Sequence, residues 1–512
     1  MKILSGTQMA RLDRLSIRRH GISAEQLMRR AAQACCDEIF SIPKWNPRKK
    51  IVIVCGPGNN GGDGFAMAGI LRERGIAARI FFLGEEAGLS PEARGFYRAV
   101  SGQVALERGK FPSRDFDAAL RDAEILVDAL FGTGLKRDLR GLHAEAIRRM
   151  NRSAAWKLAV DIPSGLSADT GETMGIAFQA DKTVTFEVPK WGQILPPAWD
   201  SVGDLVVRSI GLSRQELAKF PAKAEWVESE GLKKYFRPRS RRIHKGKAGR
   251  VLVLAGSREM PGAGYLTSMA ALRAGAGLVH WALPEEAFRK IDLRYPEVIL
   301  SPLPSEAGGF SLKALPKLKG LIKRFQSLAV GPGMGSGEGL RHFLEEVLRI
   351  ARASLVLDAD ALNALAAGKI PKQGLRRAIL TPHPLEMARL SGKSVEEILN
   401  RPMDSARHFA RGHACWVLLK GYRTVIADPR GRVWINSTGG PNLATAGSGD
   451  VLTGIIAGLL AQGLSHEGAV LAGAYLHGLA GDRLAKRQGD RGTIATDLLK
   501  EIPFAVRELL HG

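Results

Sequence analysis

The chain has 512 residues, 45% hydrophobic and 24% charged, so it can bury a large core and should form two or more domains. Lysine and arginine outnumber aspartate and glutamate by 74 to 51, a net charge of +23, which suits nucleic acids, anionic membranes or small polyanionic molecules. Aromatic residues make up only 6% and do not alternate with the basic residues, so a stacking surface for single-stranded nucleic acid is not evident.

The cysteines and the N-terminal segment indicate a reduced compartment. None of the cysteines has C-x-x-C spacing or a histidine at zinc-site spacing. They are Cys35, Cys36, Cys55 and Cys415. The segment MKILSGTQMARLDRL lacks the apolar core and cleavage site of a signal peptide, and no stretch approaches the roughly 20 apolar residues of a membrane span. We predict a soluble cytoplasmic protein with no membrane partner.

The first half alternates between strand-like and helix-like segments. Ser23 and Gln26 form a capping-box spelling at the start of SAEQLMRRAAQACCDEIF, which predicts an N-terminal helix. From Lys50 onward, short apolar runs alternate with amphipathic segments of helical length, as in a parallel sheet covered on both faces. The strand runs are IVIVC, ARIFFL, EILVDALFG and KLAVDIPSG, and the first is followed by the helical FAMAGILRERG.

A domain boundary is expected near Pro221 to Arg242. The alternation fades through TVTFEVPKWGQILPPAWDSVGDLVV, which has strand and turn chemistry, and resumes after a basic stretch from Arg237 to Arg250. That stretch, RPRSRRIHKGKAGR, carries seven lysines or arginines and no acidic residue. We interpret it as a solvated linker or a segment that collects phosphate, in preference to a nucleic-acid-binding arm. The predicted domains are residues 1–222 and 223–512.

The second half resumes the alternation with different segments. We predict a helix over LTSMAALRAGAG, a two-stranded unit over CWVLLKGYRTVIADPRGRVWIN around Asp428 to Gly431, and two closing helices in SGDVLTGIIAGLLAQG and EGAVLAGAYLHGLAGDRLA. The remaining strand runs are RVLVLAGS, LVHWALP, SLAVGPGMG, LVLDADALNALA and AILTPHP. The fold class is therefore α/β, with two different α/β domains.

The run GPGNNGGDG follows the first strand and precedes a helix. Gly56, Gly58 and Gly61 satisfy the G-x-G-x-x-G spelling of a dinucleotide-binding turn, which alone is a weak signal. Asp63 argues against phosphate at this position, because its carboxylate would repel the anion. Asn59 and Asn60 add carbonyl oxygens to the loop, and such a set suits ribose hydroxyls, a polar heterocycle or a hard cation.

Ligands of open α/β sheets bind beyond the carboxyl ends of the strands. In the first half this rule selects Asp63, Asp128, Asp161 and Ser164. One isolated aspartate is more often a helix or turn cap, but three at strand ends favour a site. The loop from Gly132 to Asp138 offers backbone N–H groups with Lys136 and Arg137, and is the better phosphate site.

In the second half, Gly447, Gly449 and Asp450 begin a predicted helix. Amides there can stabilise negative charge on a transferring phosphoryl group while Asp450 accepts a proton, although the same spelling also fits an ordinary helix start. The segment from Lys420 to Thr424 follows a strand and can lie near a nucleotide or form an ordinary charged hairpin. His383, between two prolines, can be a turn residue or a ligand contact.

These motifs together resemble a known family. GPGNNGGDG, DALFGTGLKRD and DIPSGLSADTG resemble the NAD(P)H-hydrate epimerase domain, and GPGMG, LDADALNAL, LTPHPLEM, LKGYRTVI and NLATAGSGDVLTG resemble the ADP-dependent NAD(P)H-hydrate dehydratase domain. The order matches the fused bifunctional repair enzymes, and eight motifs in order are more specific than any one of them. The resemblance implies a Rossmann-like first domain and a ribokinase-like second domain.

The resemblance also implies roles for individual residues of the first domain. Asp161 would be catalytic and would lie beside the hydroxylated ring. The residues that would contact the hydrated dinucleotide are Asn59, Asn60, Gly61, Gly62, Asp63, Gly132, Thr133, Gly134, Leu135, Lys136, Arg137, Asp138 and Asp161. A potassium ion would be held by Asn60, Asp128 and Ser164.

In the second domain the resemblance implies that Asp450 is catalytic and that Mg²⁺ and ADP are used. The hydrated substrate would face Ala263, Gly333, His383 and Asp450. The adenine nucleotide would be held by Lys420, Gly421, Tyr422, Arg423, Thr424 and Gly449. A homo-oligomeric assembly is expected. The preference between NADH and NADPH hydrates, and between ADP and ATP, stays open.

The implied chemistry connects the two domains. The damaged cofactor carries a hydroxyl on the carbon next to the ring nitrogen, so a carboxylate that shuttles a proton can scramble its configuration. Phosphorylating this hydroxyl turns a poor leaving group into a good one. Two alternatives stay open: a sugar or vitamin kinase fused to a dinucleotide-sensing module, and a nucleic-acid-binding protein that uses Arg237 to Arg250.

Overall fold

The computed structural model describes residues 1–43, 45–106, 113–291, 296–368 and 372–512. The chain divides into one unit of Lys2–Ala222 and another of Lys223–Gly512 together with Met1. Among the described residues, none of the helices combines the length and apolarity that crossing a membrane requires.

The first unit is built on a seven-stranded sheet in which every neighbouring pair is parallel. Its strands are β1 (Ile51–Cys55), β2 (Ala78–Phe82), β3 (Val104–Leu106), β4 (Ile125–Ala129), β5 (Trp156–Val160), β6 (Lys182–Phe186) and β7 (Asp204–Arg208). Their spatial order is β3-β2-β1-β4-β5-β6-β7. This order, with its reversal between β1 and β4, is that of a Rossmann-like domain, whose ligands bind beyond the carboxyl ends of the strands at that reversal.

Nine helices complete the described part of the first unit: α1 (Gly6–His20), α2 (Ala24–Phe40), α3 (Asn59–Glu73), α4 (Pro91–Val100), α5 (Arg114–Asp122), α6 (Gly141–Arg152), α7 (Trp191–Ile194), α8 (Trp199–Val202) and α9 (Arg214–Ala218). The predicted α2 is confirmed with its capping box: Gln26 N donates to Ser23 Oγ at 3.1 Å and Ser23 N donates to Gln26 Oε1 at 3.2 Å. Helix α1 was not predicted, although Ser5 and Gln8 cap it in the same way.

Glycines in the GPGNNGGDG run allow α3 to pack closely on the sheet. A Cβ on Gly61 would lie 1.9 Å from Gly56 O, and one on Gly64 would lie 2.6 Å from Cys55 Sγ. Real Cβ atoms do not approach so closely, so these positions require glycine for packing alone. The expectation of a loop here is wrong for Asn59 and Asn60, which are the first two residues of α3.

The second unit contains a ten-stranded sheet of order β11-β10-β9-β14-β15-β16-β17-β18-β19-β8 and a separate hairpin of β12 and β13. The strands are β8 (Glu225–Trp226), β9 (Arg250–Leu254), β10 (Leu278–Pro284), β11 (Ile299–Leu303), β12 (Ser305–Glu306), β13 (Gly309–Phe310), β14 (Ser327–Val330), β15 (Ser354–Leu357), β16 (Ala378–Leu380), β17 (Trp416–Leu419), β18 (Val425–Ala427) and β19 (Val433–Ile435). Along the order β11-β10-β9-β14-β15-β16-β17 every neighbouring pair is parallel, whereas β18 is antiparallel to both β17 and β19.

The described helices of the second unit are α10 (Ser229–Lys233), α11 (Pro261–Arg273), α12 (Glu285–Phe288), α13 (Leu315–Ile322), α14 (Glu338–Ile350), α15 (Asp360–Ala366), α16 (Lys372–Leu375), α17 (Pro384–Ser391), α18 (Val395–Asn400), α19 (Pro402–His413), α20 (Ser448–Ala461), α21 (His466–Gln488) and α22 (Ala495–His511). The two predicted closing helices are confirmed as α20 and α21. The two-stranded interpretation of residues 415–436 is wrong, because the chain turns at Lys420 to Thr424 as well as at Asp428 to Gly431 and so forms three strands.

Small residues bring α20 against α11. A Cβ on Gly454 would lie 2.2 Å from Thr267 O, so the two helix backbones approach closely. Both helices pack on one face of the sheet over a continuous apolar core that includes Val251, Val279 and Ile455. This packing fixes the N terminus of α20 beside the carboxyl ends of the central strands.

Candidate active sites

The first candidate site lies at the carboxyl ends of β1, β4 and β5. The start of α3 supplies Asn60 and Asp63, β4 supplies Asp128, and the turn after β5 supplies Asp161 and Ser164. Adjacent parallel strands end at the same edge of the sheet, so the polar residues predicted from strand ends do share one edge.

Asp128 and Ser164 form a fully buried pair. Ser164 Oγ donates to Asp128 Oδ1 at 2.7 Å, and Ser164 N donates to Asp128 Oδ2 at 2.7 Å. Burial raises the pKa of Asp128 to about 6, although hydrogen bonds from Ser164 and Leu130 N oppose the shift. A nearby cation stabilises the charged form of a buried carboxyl, because it offsets the cost of removing that charge from water.

Asn60 adds an unsatisfied amide to this edge. Its side chain is 6% exposed, and its Nδ2 atom has no hydrogen-bond partner. A Cβ on Gly132 would lie 3.4 Å from Asn60 Oδ1, so Asn60 faces the loop that begins at Gly132. The described residues include no cluster of three or more His, Cys, Asp or Glu suited to a metal. A potassium ion instead accepts mixed oxygen donors, and Asn60, Asp128 and Ser164 provide carbonyl, carboxylate and hydroxyl oxygens.

Asp161 occupies a strained turn directly after β5. Its φ is +63°, in the left-handed region that non-glycine residues seldom adopt. Its Oδ1 accepts hydrogen bonds from Lys190 Nζ at 2.6 Å and Thr185 Oγ1 at 3.0 Å, and its backbone oxygen accepts one from Gln193 Nε2 at 2.5 Å. These bonds fix the orientation of the carboxylate, and such strain is characteristic of functional sites.

Lys190 was not predicted as a site residue. It is fully buried, and besides Asp161 its Nζ donates to Thr185 Oγ1 at 2.7 Å and to Phe186 O at 3.2 Å. The only signal in the sequence is that Lys190 follows the strand run TVTF, in a region where the alternation of strands and helices fades.

The charge of Asp161 also acts on two further carboxyl groups, those of Asp13 and Asp63. Burial raises the pKa of Asp13, on α1, to about 6, with Lys190 opposing the shift and Asp161 adding to it. Burial, followed by the charges of Asp161 and Asp13, raises the pKa of Asp63 well above its ordinary value. Neighbouring carboxyls with separated pKa values can act as proton donor and acceptor. Asp13 was not predicted, since its helix was not.

The loop from Gly132 to Asp138 is largely exposed. Lys136 and Arg137 are exposed and form no ion pair with any described residue, so both cations are available to an anion. Leu139 N donates to Met174 O at 2.9 Å, which anchors the end of the loop.

The second candidate site lies at the carboxyl ends of β15, β16 and β17. Asp358, directly after β15, is 1% exposed. Lys420 Nζ donates to Asp358 Oδ1 at 2.8 Å, and Thr453 Oγ1 donates to Asp358 Oδ2 at 2.8 Å. Burial lowers the pKa of Lys420, but the charges of Asp358 and Glu386 outweigh burial, and the net shift is upward. Lys420 is therefore a partly buried ammonium ion held among carboxylates.

Asp450 lies in the first turn of α20. Burial raises its pKa to about 7, with Asp358 adding to the shift and Lys420 opposing it. Gly447, the residue before the helix, has φ +82°, and a Cβ on Gly449 would lie 3.3 Å from Lys420 Nζ. The amides at the start of α20, the ammonium of Lys420 and the carboxyl of Asp450 therefore share one small region. Such a region can bind phosphate and move a proton.

His383 caps α17 rather than standing free. Glu386 N donates to His383 Nδ1 at 3.2 Å, and His383 N donates to Glu386 Oε2 at 2.8 Å. Burial, followed by the charge of Lys420, lowers the pKa of His383, so a neutral imidazole faces the site at pH 7. Glu386 also lies 3.8 Å from Lys420 Nζ.

Ala263 and Gly333, the substrate contacts that the resemblance implies, lie against each other. Gly333 has φ +62°, and a Cβ there would lie 2.8 Å from Ala263 Cβ and 2.9 Å from Met260 O. Any side chain at Gly333 would therefore collide with α11.

The segment from Lys420 to Thr424 divides into two parts. Lys420 reaches the carboxylates, whereas Arg423 Nη1 donates to Ser437 O at 2.9 Å and its guanidinium lies 4.9 Å from the Trp226 ring centroid. Thr424 Oγ1 donates to Gly421 O at 3.1 Å, within the same turn. These bonds shape the hairpin, and a nucleotide contact of Arg423 stays a prediction.

Asp358, Asp360, Glu386 and His477 were not predicted as site residues. Asp360 Oδ2 accepts a hydrogen bond from Gly335 N at 2.8 Å. His477 Nε2 lies 3.1 Å from Ser448 Oγ, and burial lowers its pKa to about 4. The strand-end rule could have found Asp358 and Asp360 in LDADALNAL, but His477 lies in mid-helix and has no local signal.

Two family models match the chain. The family model described as "YjeF-related protein N-terminus" matches residues 24–192, and the one described as "NAD(P)H-hydrate dehydratase" matches residues 251–504. The chain is 39% identical to the bifunctional NAD(P)H-hydrate repair enzyme Nnr of Moorella thermoacetica, over 99% of this chain and 97% of that protein. It is 36% identical to the enzyme of the same name from Thermofilum pendens, with the same two coverages.

One solved structure resembles the second unit. It is a ribokinase-like superfamily protein of Enterococcus faecalis V583, which is 26% identical and superimposes with a TM-score of 0.51 over 57% of this chain and 99% of that chain. The second unit therefore has a ribokinase-like fold.

Proposed function

Because the chain belongs to the family of bifunctional NAD(P)H-hydrate repair enzymes, we propose that it restores hydrated NADH and NADPH. The first unit interconverts the R and S hydrates. The second unit dehydrates the S hydrate at the expense of ADP and yields NAD(P)H, AMP and phosphate. If the second site accepts one epimer only, the first unit supplies it from the other.

In the first unit, Asp161 is the proposed proton shuttle. The substrate carbon is a hemiaminal, so reversible opening at this carbon needs a group that accepts and returns a proton. Lys190 holds the Asp161 carboxylate in place through the 2.6 Å bond and acts as a positioning residue. Asn59 to Asp63 and the loop from Gly132 to Asp138 would bind the dinucleotide, with Lys136 and Arg137 on its phosphates.

The potassium ion of this family would be held by Asn60, Asp128 and Ser164. When bound, it would supply a fixed positive charge beside the substrate. The buried Asp128 carboxyl fits such a cation, and the oxygen Oδ1 of the buried Asn60 side chain would be its amide ligand.

In the second unit, Asp450 would take the proton from the substrate hydroxyl as that oxygen attacks the terminal phosphorus of ADP. AMP leaves, and departure of phosphate from the phosphorylated carbon, together with loss of a proton from the adjacent ring carbon, restores the ring double bond. The amides at Gly447 to Gly449 and the Lys420 ammonium would stabilise the charge on the transferring phosphoryl group. Ala263, Gly333 and His383 would face the hydrated ring.

Mg²⁺ would accompany the nucleotide and neutralise phosphate charge. The carboxylates of this site are already engaged, Asp358 with Lys420 and Thr453 and Asp360 with Gly335 N. With these carboxylates engaged, the ion would be held mainly by the phosphates of the nucleotide and by water, as magnesium commonly is.

The observation that carries the proposal is the position of Asp450 at a helix N terminus beside Lys420. Burial raises the pKa of its carboxyl to about 7. A sugar or vitamin kinase would use the same phosphate site, so it is the second candidate. It predicts that a phosphorylated product accumulates without release of phosphate.

The proposed location is the cytoplasm. All four cysteines are free thiols and buried, as expected in a reducing compartment. Homo-oligomeric assembly stays a prediction.

Incubation of both hydrate epimers with the full chain, ADP and magnesium should restore the absorbance of NADH completely. A fragment of residues 2–222 should interconvert the epimers with no nucleotide present, because these residues form a compact unit of their own. The fragment should not restore any absorbance. A folded but inert fragment beside an active full chain would contradict separable activities, and accumulation of phosphorylated hydrate would favour the kinase.

Potassium should stabilise the first unit through Asp128. An Asp128→Ala protein should lose both the potassium dependence of epimerisation and the rise in melting temperature that KCl gives over NaCl, since a ligand that binds only the folded state stabilises it. The matched control is Asp37→Ala, an exposed aspartate on α2, which should keep both responses. Equal melting temperatures of the unmodified protein in the two salts would contradict the cation site.

A further inference from the structure

We infer that the second unit carries a phosphate-binding site at the amino edge of its sheet, formed by Arg250, His280 and Arg324. The catalytic carboxylates follow the carboxyl ends of the strands, whereas Arg250 begins β9 and Arg324 precedes β14. A five-residue strand spans about 16 Å, so the two sites are separated by roughly that length of sheet.

Arg250 and His280 project from the same face of two neighbouring strands. In the register of β9 and β10, Arg250 lies opposite Leu278, two residues before His280. Side chains alternate along a strand, and Val251 and Val279 belong to the apolar core on one face. Arg250 and His280 therefore point to the other face.

The segment before β14 adds Arg324 to this edge. Arg250 N donates to Gln326 Oε1 at 2.9 Å, and Gln326 N donates to Arg250 O at 3.2 Å. The rings of His280 and Phe325 lie 4.9 Å apart, edge to face. Arg324 is therefore adjacent to a residue that touches His280.

Two buried nitrogen atoms at this edge lack partners. Arg250 Nε and His280 Nδ1 are both buried and have no hydrogen-bond partner among the described residues, whereas buried polar atoms are normally paired. No carboxylate among the described residues lies within 4.0 Å of the charged atoms of Arg250 or Arg324. Burial and the charges of Arg324 and Arg250 lower the pKa of His280, which agrees with a cluster that lacks a negative partner.

The basic stretch turns beside this cluster. A Cβ on Gly246 would lie 3.0 Å from Arg250 Nη2 and 3.3 Å from His244 Nδ1, and Lys245 and Lys247 are exposed on either side. Guanidinium groups bind phosphate through paired N–H bonds, so the ligand class is a small phosphate-bearing anion. The stretch contains no aromatic residue on which bases could stack, which disfavours single-stranded nucleic acid.

The test titrates inorganic pyrophosphate, without magnesium, into the full chain and into an Arg250→Gln/Arg324→Gln variant. Calorimetry should show a binding event that becomes at least about tenfold weaker in the variant, since charge-assisted bonds are lost. The control is Arg401→Gln/Lys486→Gln, which removes the same charge at exposed positions that form no ion pair with described residues and should bind as the unmodified protein does. A histidine ring NMR signal, assigned by its absence in His280→Gln, should move on addition of pyrophosphate.

Recovery of NADH by all these proteins should be equal, so failure of the proposed activity and failure of this site can be told apart. The inference is overturned if both double variants lose affinity equally, if the Arg250→Gln/Arg324→Gln protein binds as the unmodified one does, or if the His280 signal stays in place. Tighter binding of a single-stranded oligonucleotide than of pyrophosphate, through the same residues, would also overturn the assignment to a small anion.

Discussion

An Asp161→Asn protein should lose nearly all epimerisation while it keeps dehydration of the preferred epimer. An amide has the shape of the carboxylate but cannot accept the proton, and a positioned acid or base typically contributes about 10²- to 10⁴-fold. Interconversion of the two hydrates, followed by chromatography with no nucleotide present, measures the first activity. Recovery of NADH from the preferred epimer measures the second activity on the same sample.

The Lys190 contact adds a second effect to this substitution. Lys190 is fully buried, and the Asp161 carboxylate is its anionic partner at 2.6 Å. Removing one member of a buried ion pair costs about 3–5 kcal/mol of the free energy of unfolding, because the remaining charge is uncompensated. The single variant should therefore melt at a lower temperature, which would confuse loss of folding with loss of catalysis.

A double variant separates the two effects. In Asp161→Asn/Lys190→Met the buried charge is gone, so much of the lost stability should return while epimerisation stays absent. Lys190→Met alone removes the 2.6 Å bond that orients the Asp161 carboxylate. Its epimerisation rate should then fall while dehydration of the preferred epimer stays unchanged. Near-normal interconversion by the folded double variant would remove Asp161 from the mechanism.

The contrast between Asp161 and Lys190 shows which parts of the first site could be predicted. Asp161 follows a short apolar strand run, a local signal that also located Asp128 and the start of α3. The importance of Lys190 depends on β6 lying next to β5 in the sheet. No local pattern specifies that neighbour, because the alternation of strand and helix fades before β6.

The same distinction holds in the second unit. Strand runs, the glycine-rich start of α20 and the two small-residue helices were predictable from periodicity and turn residues. The bond between Lys420 and Asp358 joins residues 62 positions apart, so the sequence suggested a nucleotide contact for Lys420 and nothing for Asp358. Arg423 stacks over Trp226, a distant aromatic residue that no local pattern connects with the hairpin.

The substitution Asp450→Asn should reduce recovery of NADH by roughly 10²- to 10⁴-fold, the range of a positioned proton acceptor. The affinity for ADP should change little, because the amides of Gly447 to Gly449 and the Lys420 ammonium are unaltered. Burial holds the pKa of Asp450 at about 7, so the unmodified enzyme should gain activity as the pH rises through 7. The residual activity of the variant should lack that rise.

The pH dependence of stability distinguishes a proton-accepting Asp450 from an Asp450 that only begins α20. The pKa of Asp450 rises from 3.8 in the unfolded chain to about 7 in the folded one, so between these values the folded state holds a proton that the unfolded state has released. This carboxyl therefore stabilises the protein least above pH 7, and Asp450→Asn should reduce the fall in melting temperature between pH 4 and pH 8.

A purely structural role for Asp450 at the start of the helix predicts a loss of stability without a loss of turnover. If the negative charge of Asp450 only favours the N terminus of α20, its loss should cost about 0.5–2 kcal/mol of stability and leave turnover largely intact. Asp497→Asn is the matched control, since Asp497 lies in the first turn of α22 and Ile494 N donates to its carboxylate. The control should lower the melting temperature and keep activity. A folded Asp450→Asn protein that behaves like this control would end the catalytic assignment, whereas a stable, ADP-binding and inert protein would leave proton transfer as the step that the carboxylate performs.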